Sequence, residues 1–163
     1  MTATLDTSLR ELYANNFEIP FSDAGKKVEQ WKRDYEQRLG IEDEVAYNKA
    51  IEKLHQAILD FMDDGLEMNE ESVEIACEFL RKLSHYPYLL NTVNISADPE
   101  GKTVLRWKSE KAGKKGVFSM SIGKNRILYY ASTIQGEEAH GKEFFDTDIP
   151  SAIWEKMRIL EAH

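Results

Sequence analysis

The stretch from Lys102 to Arg126 constrains the fold most, because its apolar residues occupy every second position of two short runs. These residues are Leu105 and Trp107 in the first run and Phe118, Met120 and Ile122 in the second. A period of two is typical of strands that bury one face against a core. We therefore predict a sheet with one buried side and one exposed side in this part of the chain.

The same stretch is basic on an acidic chain. Eight Lys or Arg against the single acid Glu110 give it a net charge of +7, whereas the whole protein carries −8. Such charge attracts acidic protein surfaces and nucleic-acid phosphates alike. The alternation places Arg106 and Lys108 on the exposed side, beside Ser119 and Ser121, and the other cations at turns, a loop or strand ends. The predicted partner-binding residues are Arg106, Lys108, Lys111, Lys114, Lys115, Lys124 and Arg126.

The first ninety residues have the apolar spacing of helices. A short helix is predicted before Pro20, and a second one ends at Gly40. A third is predicted from the stripe Tyr47, Ile51, Leu54, Ile58 and Phe61, with Gly65 as its stop. The fourth begins at the N-cap Asn69, with Met68 and Val73 as a hydrophobic staple, and ends before Pro87.

The second half changes to the period of strands. The predicted strands are Thr92–Ala97, Thr103–Lys108, Val117–Ile122, Arg126–Ile134 and a short Glu143–Phe145, with a polar loop over Gln135–Lys142. Short turns between them favour an antiparallel meander. Asp148 and Pro150 open a last helix. The predicted fold class is α+β in a single domain over residues 1–163. A helical part over 1–90 packs on a four- to five-stranded antiparallel sheet, which is followed by a C-terminal helix.

Composition limits the setting of the protein. The single Cys77 excludes an intramolecular disulfide, the N-terminus lacks the apolar core of a signal peptide, and no apolar run is long enough to span a membrane. These features predict a cytoplasmic protein that does not use a membrane. Residues 1–90 carry a net charge of −9 and residues 91–163 carry +1, so the two halves are expected to present different surfaces.

Two motifs in the sequence partly match known kinds of metal site. Asp60–Glu71 matches a calcium loop at several positions, but Met62 replaces a ligand, and a helix stop at Gly65 followed by a cap at Asn69 explains the same residues. Glu52 and His55 form one half of the pair of motifs that a di-metal bundle needs. Cys77 lies on an apolar stripe. We therefore predict no catalytic residues, no metal and no cofactor.

The order of elements resembles a group of small uncharacterised bacterial proteins. The resemblance rests on the helix that begins at Asn69, the segment Ile95–Gly101 with its Asp-Pro-Glu-Gly turn, the strand Leu105-Arg-Trp, and the following strands up to Tyr129-Tyr130. It covers residues 69–134. It implies a bacterial or phage origin, a mobile-element or toxin–antitoxin-like setting and no known catalysis, and it assigns no site residues.

Three classes of function follow from these observations. The first is a non-enzymatic protein-interaction module, antitoxin-like or inhibitory toward a host-defence component. The alternative is a nucleic-acid-binding protein that uses the basic sheet and loop over 102–126. An enzyme with an unrecognised site is the third, and it would require acids and histidines that converge in a deep pocket.

Overall fold

The computed structural model describes residues 26–30, 41–111 and 115–161. Residues 26–30 are helical, and the helices and strands that follow them in the sequence are given below. The helices are α1 (Ile41–Asp63), α2 (Glu70–Lys82), α3 (Pro87–Thr92) and α4 (Ser151–Glu161). The strands are β1 (Asn94–Ala97), β2 (Thr103–Ser109), β3 (Gly116–Ile122), β4 (Ile127–Ile134) and β5 (Glu137–Phe144). The predicted first helix lies outside the described residues.

Helix α1 confirms the third predicted helix. The stripe residues Tyr47, Ile51, Leu54 and Ile58 are all buried. At the C-terminus the Gly65 N–H donates to the Met62 carbonyl at 2.8 Å and the Leu66 N–H to the Phe61 carbonyl at 3.2 Å. This pair of bonds is the Schellman arrangement, in which a glycine with positive φ closes the last turn.

Helix α2 begins as the sequence predicts. The Asn69 side-chain oxygen accepts a hydrogen bond from the Ser72 N–H at 2.9 Å. Met68 and Val73 on either side of the cap are buried, as a hydrophobic staple requires. The start of α2 is therefore encoded locally, by the cap and by two flanking apolar residues.

Helix α3 was not predicted. Pro87 occupies its first turn, where the missing N–H costs nothing, but six residues are too few to display a helical period. The Lys53 ammonium of α1 donates to the carbonyls of Asn91 and Val93 at 2.8 and 2.7 Å. The pKa of Lys53 is lowered, first by burial and then by the nearby Lys49. A contact between distant parts of the chain thus caps this helix.

The sheet is a five-stranded antiparallel meander in the order β1-β2-β3-β4-β5, which confirms the predicted fold class. The turn before β2 is closed by Asp98, whose carboxylate accepts from the backbone N–H groups of Glu100 and Lys102 at 2.9 Å. No helix in the described ranges is long and apolar enough to cross a membrane.

The prediction of a polar loop over Gln135–Lys142 was wrong, because most of this segment belongs to β5. Gln135 and Gly136 both have positive φ, 54° and 83°, which is the geometry of a two-residue hairpin turn. Strand β5 shows no apolar alternation because no described helix packs extensively on it, and it is held mainly by pairing with β4. One boundary of each other strand also differs by one or two residues. Thr92 ends α3, β2 extends to Ser109, β3 begins at Gly116, and Arg126 lies in a turn with φ 64° before β4.

One face of the sheet forms the core with the helices, and we call it the inner face. Its centre consists of Leu105, Trp107, Phe118, Met120 and Leu128, all at most 2% exposed. The Trp107 indole N–H donates to the Leu89 carbonyl at 2.8 Å, so the largest core side chain has its polar atom satisfied. Helix α4 packs over β2, β3 and β4 on the same side.

The Ser72 hydroxyl joins α2 to two strands of the sheet. It donates to the Ile122 carbonyl at 2.8 Å and accepts from the Thr103 N–H at 2.8 Å, and it is 1% exposed. Thr103 and Ile122 face each other at the end of the β2–β3 ladder, so the hydroxyl bridges backbone groups of two neighbouring strands. A single buried hydroxyl therefore sets where α2 lies on the sheet.

We expect Ser72→Ala to lower the free energy of unfolding by about 1–3 kcal/mol, because it removes the hydrogen bonds of a buried hydroxyl to the Thr103 N–H and the Ile122 carbonyl. Urea unfolding measures the effect. Ser119→Ala on the other face of the sheet is the control and should change stability by less than about 0.5 kcal/mol. Equal effects of the two substitutions would contradict the bridging role of Ser72.

Candidate partner-binding face of the sheet

The sheet face that points away from the helices is the candidate site, and we call it the outer face. Arg106 pairs in register with Ser119, and Val104 pairs with Ser121. Arg106 and Lys108 are exposed on this face, as the alternation predicts. No described helix packs on it. The outer face therefore presents the cations Arg106 and Lys108 beside the small hydroxyl side chains of Ser119 and Ser121.

The predicted partner-binding residues do not form one patch. Lys108, Lys111 and Lys115 lie at the end of the β2–β3 hairpin, and we call them the hairpin-end cations. Lys124 and Arg126 lie at the other end of β3. Seven strand residues separate the two groups, a distance of roughly 20 Å. Lys114 lies outside the described residues. The described cations are thus divided between the hairpin end, the opposite end of β3 and Arg106 within β2.

Acidic neighbours neutralise part of the positive charge. Lys102 pairs with Glu100 at 3.0 Å, and Lys108 pairs with Glu110 at 3.0 Å. The hydrogen bond from Lys108 is the main cause that lowers the pKa of Glu110, and the bond to Glu100 is the main cause that raises the pKa of Lys102. Both pairs are solvated and contribute little to stability, but they reduce the field that a partner meets.

Arg126 belongs to the structure of the sheet end. Its guanidinium donates to Glu78 at 2.8 and 3.4 Å, to the Phe145 carbonyl at 2.6 Å and to the Asp146 carbonyl at 2.8 Å. It also lies 5.2 Å from the centre of the Phe145 ring. The hydrogen bond to Glu78 is the first cause that raises the pKa of Arg126. These donors are used within the chain, so Arg126 offers little to a partner.

Three of the predicted partner-binding cations, Arg106, Lys111 and Lys115, lie on the outer face or at the hairpin end and remain accessible. All three are exposed, and none has an acid at ion-pair distance within the described ranges. Lys115 also borders an open cavity of about 400 Å³ at the hairpin end. The other residues that line the cavity are Lys108, Ser109, Glu110, Gly116, Val117, Thr133, Gln135 and Gly136.

Two aromatic residues of the outer face were missed in the sequence. Tyr129 is 43% exposed and Phe144 is 57% exposed. Tyr129 could have been found, since Leu128 and Tyr130 beside it turn to the inner face and strand positions alternate. The exposed position of Phe144 could not have been predicted, because the sequence of β5 shows no alternation of apolar residues. Lys102 lies 5.2 Å from the centre of the Tyr129 ring.

The residues of the candidate metal motifs have structural roles. Asp60 lies within α1 and accepts from the Gln56 side chain at 2.8 Å, while Asn69 caps α2. In the part of the chain that the structure describes, no three His, Cys, Asp or Glu side chains group as metal ligands would. Cys77 is fully buried, and burial is the main cause that raises the pKa of its thiol. A buried thiol of this kind acts as a small apolar residue.

No protein-family model, no curated protein and no solved structure matches this chain. The resemblance of residues 69–134 to small bacterial proteins therefore stays a prediction. Any functional proposal has to rest on the geometry and charge of the outer face.

Replacing Arg126 with Met should lower the free energy of unfolding by about 1–3 kcal/mol, because hydrogen bonds from a charged group to two carbonyls and a carboxylate are lost. Lys124→Met removes a neighbouring exposed cation and should leave stability within about 0.5 kcal/mol. Thermal and urea unfolding compare the two variants. An Arg126 variant as stable as the Lys124 variant would show that this guanidinium is available for a partner.

Proposed function

We propose that this protein is a non-enzymatic interaction module that binds an acidic protein surface with the outer face of its sheet. The observation that supports the proposal best is that the outer face, on which no described helix packs, carries the exposed Tyr129 and Arg106, while the accessible cations Lys111 and Lys115 lie at its hairpin end. Tyrosine and arginine are the residues that most often dominate protein interfaces. Lysines around them give charge complementarity and speed association.

The distribution of charge favours a protein partner over a nucleic acid. Three of the eight cations of the 102–126 stretch already pair with Glu78, Glu100 or Glu110. The accessible ones are interrupted by small hydroxyl residues and do not follow a continuous line. A phosphate backbone needs a continuous track of cations, and the chain charge of −8 would repel it. Carboxylates on a protein surface can pair with separate cations and do not need a continuous track.

The resemblance noted above suggests which partner to test first. Proteins in toxin–antitoxin-like or anti-defence settings act by binding and masking another protein. We therefore infer that the partner is a toxin or a host-defence component with an acidic surface. Co-expression with such a component should reduce its toxicity, and the outer-face variants below should lose this protection.

The charge of the hairpin end gives the first test of the proposal. The full chain is used as bait in a cell extract, the captured protein is identified, and its affinity for purified variants is measured. Lys111→Glu with Lys115→Glu should weaken binding at least about tenfold, or about 1.4 kcal/mol. The matched control, Lys49→Glu with Lys82→Glu, makes the same charge change at exposed positions on α1 and α2.

The control should bind as the unchanged protein does. Equal loss in both double variants would show that net charge alone matters and would contradict a specific site at the hairpin end. Capture that disappears on nuclease treatment would favour the nucleic-acid alternative instead.

Tyr129 gives the second test, because it is the exposed aromatic of β4 on the outer face, paired with Ser121 near the end of β3. Tyr129→Ser should reduce partner affinity about tenfold or more, as loss of an aromatic anchor does. Leu66→Ser is the matched control, since Leu66 is also 43% exposed but lies in the turn after α1. Isothermal titration with the identified partner compares them. A Tyr129 variant with unchanged affinity would remove this residue from the interface.

A further inference from the structure

Strand β5 is the last strand of the sheet, and no described strand or helix lies along its free side. It is eight residues long and pairs with β4 on one side. It contains no proline, and its backbone φ values are not positive. An edge of this length without a cover is open to pairing with another strand.

The register shows which backbone groups face this open edge. The Phe145 N–H donates to the Arg126 carbonyl at 2.9 Å, directly beyond the last pair of β4 and β5. The N–H and carbonyl groups of successive residues in a strand face opposite sides, so those of the odd-numbered residues of β5 face β4. The residues whose N–H and carbonyl groups face outward are Glu138, His140, Lys142 and Phe144, and all four are exposed.

The charges of these outward residues are arranged symmetrically. Glu138 and Lys142 lie two positions before and two positions after His140. When two such strands pair antiparallel about a twofold axis at His140, Glu138 of each copy lies opposite Lys142 of the other. In every other antiparallel register that keeps the two outer faces on the same side, Glu138 of one copy no longer lies opposite Lys142 of the other. The strand is therefore complementary to itself in one register.

We propose that the protein forms a homodimer in which β5 of one copy pairs antiparallel with β5 of a second copy, centred on His140. The two sheets then join into one, with the helices of both copies on the same side. The outer faces form a single continuous surface. This pairing is independent of the partner proposed above, because it uses the strand edge and leaves Arg106, Tyr129 and the hairpin-end cations uncovered.

The same register covers the most exposed large apolar side chain of the described residues. Phe144 of one copy comes beside Gly136 of the second copy, and Phe144 is 57% exposed in the single chain. An aromatic side chain across from a glycine fills space that the glycine leaves empty. Burial of such a side chain favours association. The exposed phenylalanine at an edge thus has a place in the dimer.

One kind of pair, which the twofold axis repeats, opposes the association. On the inner face this register puts Glu137 opposite Glu143 of the second copy, and directly opposed like charges are unfavourable. The strand-to-strand contact is also small, which is typical of weak and transient complexes. We therefore expect a reversible, concentration-dependent dimer, and we expect Glu143→Gln to tighten it by removing the repulsion.

Sedimentation of the full chain over a concentration series tests the proposal. The mass should rise from 18.8 kDa toward twice that value. Glu138→Lys alone and Lys142→Glu alone should each weaken the dimer at least about tenfold, because each puts like charges opposite each other twice. The double variant Glu138→Lys with Lys142→Glu should restore dimerisation, since the opposite charges meet again with their positions exchanged.

His140→Pro provides a second test that does not depend on charge. It removes an N–H that faces the open edge and leaves the ladder to β4 intact, so circular dichroism should be unchanged while the dimer is lost. A protein that stays monomeric at every concentration overturns the proposal. So does a dimer that survives His140→Pro, or a charge exchange that fails to restore association. None of these outcomes bears on binding of the acidic partner, which is measured separately.

Discussion

Burial of one face of the sheet is the constraint on which the rest of the structure depends. Trp107 and Phe118 lie at its centre, and their rings are 6.0 Å apart. In the described ranges α1, α2, α3 and α4 all supply buried residues to this one core. A strand that is apolar at every second position has only one face to bury. Consequently the described helices all pack on one side, and none of them covers the opposite face.

Polar contacts then decide how the helices lie on that core. Apolar burial is not directional, so it alone permits several placements of a helix. The Ser72 hydroxyl between β2 and β3, and the Arg126 guanidinium between α2 and the end of β5, are directional and partly or fully buried. Satisfying these groups selects one arrangement. The same contacts use the Arg126 guanidinium within the chain, so Arg126 adds little to the positive charge that a partner meets.

The sequence allowed the fold class to be predicted because its signals are local. The stripe of α1, the Asn69 cap and the alternation in β2 and β3 each lie within a few residues of one another. Helix α3 and strand β5 could not be predicted in this way. The carbonyls at the end of α3 are satisfied by Lys53, about forty positions away, and β5 is stabilised by its neighbour β4. Such contacts leave no periodic pattern in their own segment.

The sequence by itself determined that the chain is α+β, that residues 105 and 107 point inward, and that Arg106 and Lys108 point outward. Side-chain direction in a strand follows position alone, so these assignments need no tertiary information. Only the tertiary structure decided which cations are accessible and whether they share a surface. Charges that are close along the chain are separated by the length of β3, and Arg126 meets Glu78 from a distant segment. Distance in space, which the order of residues does not specify, sets the electrostatic field of the outer face.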